Sequence, residues 1–214
     1  MKKTRRGFTL VEIIVTMAIM ALVATVIFTI FFTNNNMLKK TEIKSELQRD
    51  GDEIAEKFVK YGSQSICLNS IRGGLDPGID YETCYDDINR YINNLPKKDG
   101  YVTINKISLW IPNSNREEVE DRSDCTVYNL IHENNKLRIE NNDGVLNNEE
   151  LLSENVEEIS IKLIGFDANC TELRYVKGIS LKVKFKKKKG NNDEITYELT
   201  NDINFRNNQY KDEI

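Results

Sequence analysis

The feature that most constrains this chain is a long apolar run from Ile13 to Phe32, in which threonine is the only polar residue type. A helix of about 20 residues spans about 30 Å, the thickness of the hydrocarbon core of a bilayer. The cations Lys2, Lys3, Arg5 and Arg6 come shortly before the run. Because positive charge is retained in the cytoplasm, the sequence predicts a single-pass cytoplasmic membrane protein with its body outside.

The run differs from an ordinary secretory signal. It is longer than a typical apolar signal core, and no small-x-small cleavage pattern follows it at residues 33–36. An uncleaved signal anchor is the plain alternative. Glu12 argues against a plain anchor, because an ionisable side chain near the start of a membrane helix costs free energy and is usually functional.

The residues Gly7-Phe8-Thr9-Leu10-Val11-Glu12 resemble the processing site of type IV prepilins and of the pseudopilins of type II secretion. The resemblance implies that a prepilin peptidase cuts after Gly7, where a slim backbone gives access, and that the new amine of Phe8 is methylated. It also implies that Glu12 meets the Phe8 amine of a neighbouring subunit and so sets the axial register of a filament.

The expected fold is α+β, a pilin fold in which a long N-terminal helix packs on an antiparallel β-sheet head. Residues 1–7 form the cleaved leader and residues 8–32 the membrane-spanning and filament-core helix. Residues 33–62 continue this helix in amphipathic form, ending at Gly62, and residues 63–214 form the head. A coiled coil is the alternative for the amphipathic part. The apolar stripe that should face the head comprises Ile43, Leu47, Gly51, Ile54, Phe58 and Tyr61.

Within the head, residues 63–100 are predicted to be irregular except for a short helix near residues 85–95. Period-two alternation then predicts antiparallel strands that form a sheet with one apolar face. A hairpin turn is expected at residues 133–136 and a solvated, lysine-rich hairpin loop at residues 186–194. The predicted strands are 101–111, 125–132, 137–140, 156–164, 179–185 and 195–199.

The order of segments 152–159, 179–185 and 203–207, the last ending in Phe-Arg-Asn, resembles minor pilins related to the J-type pseudopilins. This resemblance implies a minor subunit that helps to start and assemble a filament, near its tip. A major pilin of the shaft and a membrane-tethered adhesin or binding module remain alternatives. The implied partners are other pilin subunits through the N-terminal helix, prepilin peptidase, the cytoplasmic membrane and an assembly platform. The end point would be an extracellular filament.

The cysteines Cys67, Cys84, Cys125 and Cys170 all follow the apolar run, and none forms a Cys-x-x-Cys pair. If the head is exported, they can form two disulfides. Three connectivities are possible, and buried thiols are the alternative.

Other classes of function find little support. The formal charge is −4, and about −8 without the leader, which gives no reason to expect a nucleic-acid partner. The lone histidine, His132, and the missing catalytic and phosphate-binding motifs predict no enzyme, and no cofactor or metal is expected. Residues 141–150 partly match a calcium loop, but Ile139 stands at its first ligand place, so a turn between strands is favoured.

Overall fold

The computed structural model describes residues 8–74, 78–80, 85–113, 125–142, 147–165, 173, 176–190 and 193–206. The chain divides into two compact units, Met1–Ile43 and Lys44–Ile214, and each is considered by itself. Helix α1 (Leu10–Gln64) contributes residues to both units. The described structure is α+β, with a long N-terminal helix and antiparallel sheets, which confirms the predicted fold class.

In the described part of the second unit the strands form two antiparallel sheets, where the sequence predicted one. The first sheet has the order β2-β1-β5-β6-β7-β8 and the second the order β11-β10-β9-β4-β3. A second helix, α2 (Tyr85–Asn94), confirms the short helix that was predicted. The strands of the first sheet are β1 (Cys67–Arg72), β2 (Ile79–Asp80), β5 (Lys106–Pro112), β6 (Cys125–Glu133), β7 (Lys136–Asn142) and β8 (Asn147–Ser153). Those of the second are β3 (Lys97–Lys98), β4 (Tyr101–Ile104), β9 (Val156–Ile164), β10 (Gly178–Lys189) and β11 (Asp193–Asn204).

The predicted helix stripe forms the centre of this unit's core. Its buried members are Leu47, Gly51, Ile54 and Phe58, followed one turn later by Gly62. Both glycines are sites of close approach: a Cβ at Gly51 would lie 2.9 Å from Tyr197 Cε1, and one at Gly62 would overlap Ile203 Cδ1.

The helix was predicted to end at about Gly62, and α1 continues two residues further, to Gln64. Glycine lacks a Cβ and often ends helices, but the same property suits it to a helix face pressed against a sheet. At Gly62 the second role applies, since Ile203 of β11 occupies the space that a side chain would need.

The strand predicted at 101–111 is in fact two strands that belong to different sheets, β4 and β5. They separate at Asn105, whose N–H donates to Arg72 O (2.7 Å) and whose carbonyl accepts from His132 N (2.7 Å). The alternation changes phase at this point. Val102 and Ile104 are buried before it, and buried residues resume at Ile107 after a step of three.

Strand β1 lies beside β5 in the first sheet, although residues 63–100 were predicted to be irregular apart from α2. Its register shifts between Leu68 and Ser70, so the consecutive residues Cys67 and Leu68 are both buried and the period-two pattern is lost. Strand β8 was also not predicted, because its sequence is mostly polar. Strand β9 and the turn at 133–136 are confirmed, the turn having positive φ at Asn134 and Asn135.

The predicted loop at 186–194 is mostly strand. β10 runs to Lys189 and β11 starts at Asp193. Lys186 pairs with Glu157 (3.2 Å) and Glu194 (2.8 Å). Lys187 reaches Glu46 on α1 (2.5 Å). The lysine run is therefore not simply a solvated tip, because its first two members hold the hairpin in place.

Candidate functional site

The candidate site begins at the first turn of α1, where Thr9 and Glu12 close a reciprocal set of hydrogen bonds. Thr9 donates to the carboxylate Oε2 of Glu12 from its backbone N–H (2.8 Å) and from its hydroxyl (2.9 Å). The N–H of Glu12 in turn donates to Thr9 Oγ1 (3.3 Å). The first bond of the helix runs from Ile13 N–H to Thr9 O (3.3 Å).

This arrangement is a capping box, in which Thr9 is the N-cap and Glu12 the third residue of the helix. It fixes the start of α1 at Leu10, two residues after the predicted start at Phe8. It also turns the carboxylate back towards the N-terminus, so that Glu12 lies against the residue that follows Phe8. Thr9 was not among the predicted site residues, although threonine followed three places later by glutamate and then an apolar run is the known signal of a capping box.

The apolar part of α1 presents its side chains outward all round. Phe8 is 82% exposed and Phe32 61% exposed. The threonines of the run bond to the backbone of their own helix, with Thr16 donating to Ile13 O (2.9 Å) and Thr25 to Ala21 O (2.9 Å). Their hydroxyls therefore need neither water nor a partner, which suits a helix in a lipid environment. By length and composition the helix could cross a membrane.

An exposed apolar surface of this extent is typical of a site of contact with lipid or with other apolar protein surfaces. Glu12 is the one charged side chain between Phe8 and Met37 of the described chain. Chemically, such a carboxylate can accept hydrogen bonds and can pair with a cation. Gly7, the predicted cleavage residue, lies outside the described residues, and the Phe8 side chain just before α1 is exposed.

The cysteines belong to the second unit. Cys84 and Cys170 fall outside the described residues. Cys67 on β1 is buried, and Cys125 on β6 packs against the cluster that Cys67 forms with Trp110. Strand β5 runs between β1 and β6, with Trp110 aligned on Cys67 and on Val127.

The register separates these two cysteines by two strand spacings across the sheet, about 9.5 Å. Cys125 pairs with Pro112, two residues along β5 from Trp110, which adds to the separation. A disulfide needs Cα atoms about 4.4–6.8 Å apart. This geometry disfavours the connectivity that joins Cys67 to Cys125. The prediction that the cysteines form disulfides stays a prediction.

The other residues singled out from the sequence have structural partners. His132 is half-buried on β6, and its Nε2 lies 3.0 Å from Val156 O at the start of β9, so the ring links the two sheets. The middle of the partial calcium loop, residues 143–146, lies outside the described residues. Within the described part of the chain, no group of three or more His, Cys, Asp or Glu side chains could hold a metal ion.

The closing segment, residues 203–207, belongs to the second unit, and its described part packs against other residues of that unit. Phe205 is buried, its N–H donates to Lys177 O (2.9 Å), and Arg206 N–H donates to Ser65 O (3.0 Å) just after α1. Asn207, the last residue of the Phe-Arg-Asn ending, lies outside the described residues.

Comparison with known proteins bears on the first unit. No curated protein and no solved structure matches the chain. The family described as the prokaryotic N-terminal methylation motif matches residues 2–28, which include Gly7, Phe8 and the capping box. That motif is the signal of type IV pilins and pseudopilins, and it implies processing by prepilin peptidase and assembly with other pilin subunits. The chain thus carries the N-terminal methylation motif of pilin-type proteins at the start of a long apolar helix.

Proposed function

We propose that this protein is a minor pilin or minor pseudopilin that helps to start a type IV pilus-like filament and lies near its tip. The observation that carries the proposal is the first part of α1. An exposed apolar helix, one carboxylate in its first turn and the methylation motif occur together. A passive anchor would need the apolar surface but neither the carboxylate nor the motif.

Processing is the first step of the proposed function. Prepilin peptidase would cut between Gly7 and Phe8, remove the basic leader and leave a methylated amine on Phe8. Before assembly the helix would cross the cytoplasmic membrane once, with the second unit outside. After assembly the same apolar surface would be covered by the helices of other subunits.

Glu12 would guide assembly. In the isolated chain its carboxylate serves the capping box of its own helix. In a filament it would pair with the Phe8 amine of a neighbour, because a charge buried among apolar helices requires a partner. A carboxylate has enough acceptor positions to keep a bond from Thr9 while it receives the amine. Helix capping and subunit pairing are therefore compatible in one side chain.

The minor role rests on the resemblance of the C-terminal segments to J-type minor subunits, and stoichiometry tests it. Filaments sheared from native cells should contain this chain at a small fraction of the most abundant pilin, measured by quantitative mass spectrometry. Deleting its gene should reduce the number of filaments and leave the length of those that form unchanged. A chain present as the main filament protein would instead be a major pilin. Normal filament numbers without it would favour a tethered binding module.

A further inference from the structure

The second unit contains a cavity of about 260 Å³ between α2, the β3–β4 hairpin and the end of β9. Its floor is apolar and buried, formed by Ile71 of β1, Val102 of β4 and Ile161 of β9. Ile92 and Leu163 are half-buried at its sides. This volume lies just below the range of about 300–1,000 Å³ that is usual for ligand sites, so the cavity suits a small ligand. Its apolar floor is typical of such sites.

The opening of the cavity is set by the β3–β4 turn. Asp99 and Gly100 both have positive φ, 54° and 81°, as a tight hairpin turn requires. Gly100 lines the cavity, and a Cβ placed on it would meet nothing within 4 Å. The entrance is therefore free of side-chain bulk at this point.

The charge at the rim comes from Lys97. Lys97 is paired with Val102 across the β3–β4 ladder, so the two side chains share a face, and Val102 belongs to the cavity floor. Its ammonium donates to Asn93 Oδ1 on α2 (2.7 Å), which places the cation between α2 and β3. This neutral amide leaves two ammonium protons for another acceptor.

The side chain of the second lysine that lines the cavity, Lys162, points in a different direction from that of Lys97. Lys162 lies between Ile161 and Leu163 on β9, and alternation sends its side chain to the other face, where it is paired with Ser180. No carboxylate is among the described residues that line the cavity. The nearest acid in sequence, Asp99, interacts with Lys182. Among the described residues that line the cavity, Lys97 is thus the cation on its face of the sheet.

We propose that this cavity binds a small apolar monoanion of the aromatic carboxylate class. Its ring would lie on the Ile71, Val102 and Ile161 floor, and its carboxylate would accept hydrogen bonds from Lys97. Burial of the ring supplies affinity, and the ammonium selects the anion over a neutral molecule of the same shape. The site is independent of filament assembly, so its test does not depend on the proposed pilin function.

The experiment uses 2-naphthoate as the probe and the full chain in phosphatidylcholine nanodiscs, with its isoleucine, leucine and valine methyl groups isotopically labelled. Titration should shift the methyl signals of the cavity residues in a saturable way and leave the core under α1 unmoved. The neutral analogue 2-naphthalenemethanol should bind about 3- to 10-fold more weakly, as expected for one partly exposed charge-assisted hydrogen bond. Empty nanodiscs report partition of the probe into lipid.

Two lysine variants form a matched pair. Lys97→Gln should weaken 2-naphthoate binding about 3- to 10-fold and remove the preference for the acid over the alcohol. Lys162→Gln also removes one positive charge from a residue that lines the cavity, but this side chain lies on the opposite face of the sheet. The Kd of this variant for 2-naphthoate should therefore stay within about twofold of wild type. Ile92→Trp, at a half-buried position, should fill the cavity and abolish the shifts. Undisturbed methyl spectra before titration show that each variant is folded.

Several results would overturn the proposal. One is an absence of saturable shifts at the cavity methyl groups of the wild-type chain. Another is equal affinity for the acid and the alcohol. A third is an equal loss of binding in Lys97→Gln and Lys162→Gln, which would mean that general charge, and not a directed ammonium, attracts the probe.

Discussion

Glu12 has two roles in this account, and replacing it in two ways separates them. Its carboxylate caps α1 through the bonds from Thr9, and it would pair with a neighbouring Phe8 amine in the filament. Glu12→Gln keeps an oxygen that can accept the capping bonds but removes the charge. Glu12→Ala removes both. Thr9→Val removes the cap partner and keeps the carboxylate.

The expected magnitudes differ enough to be distinguished. The capping bonds are exposed, and losing an N-cap costs about 0.5–2 kcal/mol. Breaking one side of a buried charge pair costs about 3–5 kcal/mol, or roughly 100- to several-thousand-fold in an association constant. Glu12→Gln and Glu12→Ala should therefore both nearly abolish incorporation into filaments, while Thr9→Val should reduce it by roughly 30-fold at most.

The assay compares sheared filaments with the membrane fraction by immunoblot, in a strain whose only copy is the variant. Intact mass of the membrane form checks that the leader is still removed, since cleavage depends on Gly7 and its surroundings. If Glu12→Gln assembles like wild type while Thr9→Val fails, Glu12 acts through the helix cap. The pairing argument would then be wrong.

Three further predictions concern the second unit. Gly62→Val should lower its stability by about 1–3 kcal/mol, seen as a lower melting temperature, because the new side chain collides with β11; unchanged melting would refute this packing. Non-reducing peptide maps of exported protein should contain no peptide pair joining Cys67 to Cys125, and finding one would contradict the strand register. The hydrogen bond from Lys184 lowers the pKa of Glu157, so the stability that this carboxylate adds is present above its unfolded pKa and is lost as pH falls through the folded one. Glu157→Gln should consequently be less stable than wild type at neutral pH, and this difference should shrink as pH falls below the unfolded pKa of the carboxyl; a constant difference would exclude the linkage.

The sequence predicts this molecule well where local pattern and environment agree. The helix stripe from Leu47 to Phe58 and the alternation of β9 are regular, so both elements were found. Prediction failed where tertiary contacts set the structure. Gly62 looks like a helix end but accommodates Ile203, and the lysines after Phe185 look like a loop but lie in a strand held by ion pairs.

Two of the features that were not predicted do have a recognisable signal in the sequence. The slip in alternation at Asn105 marks the change from the second sheet to the first. Thr9 and Glu12 have the spacing of a capping box. The sequence of strand β1 contains no such signal. The register shift after Leu68 removes the period-two alternation, and the strand forms through its pairing with β5, which is distant in the sequence.

The central claim is that the chain is processed and assembled as a pilin, and the mature N-terminus tests it most directly. Protein purified from native membranes and filaments should begin at Phe8, with one methyl group on its amine, when the N-terminal peptide is sequenced by mass spectrometry. A chain that still begins at Met1, or that begins beyond Phe32, would contradict the account. In the first case Phe8 would have no free amine for Glu12 to pair with, and in the second Glu12 itself would be removed.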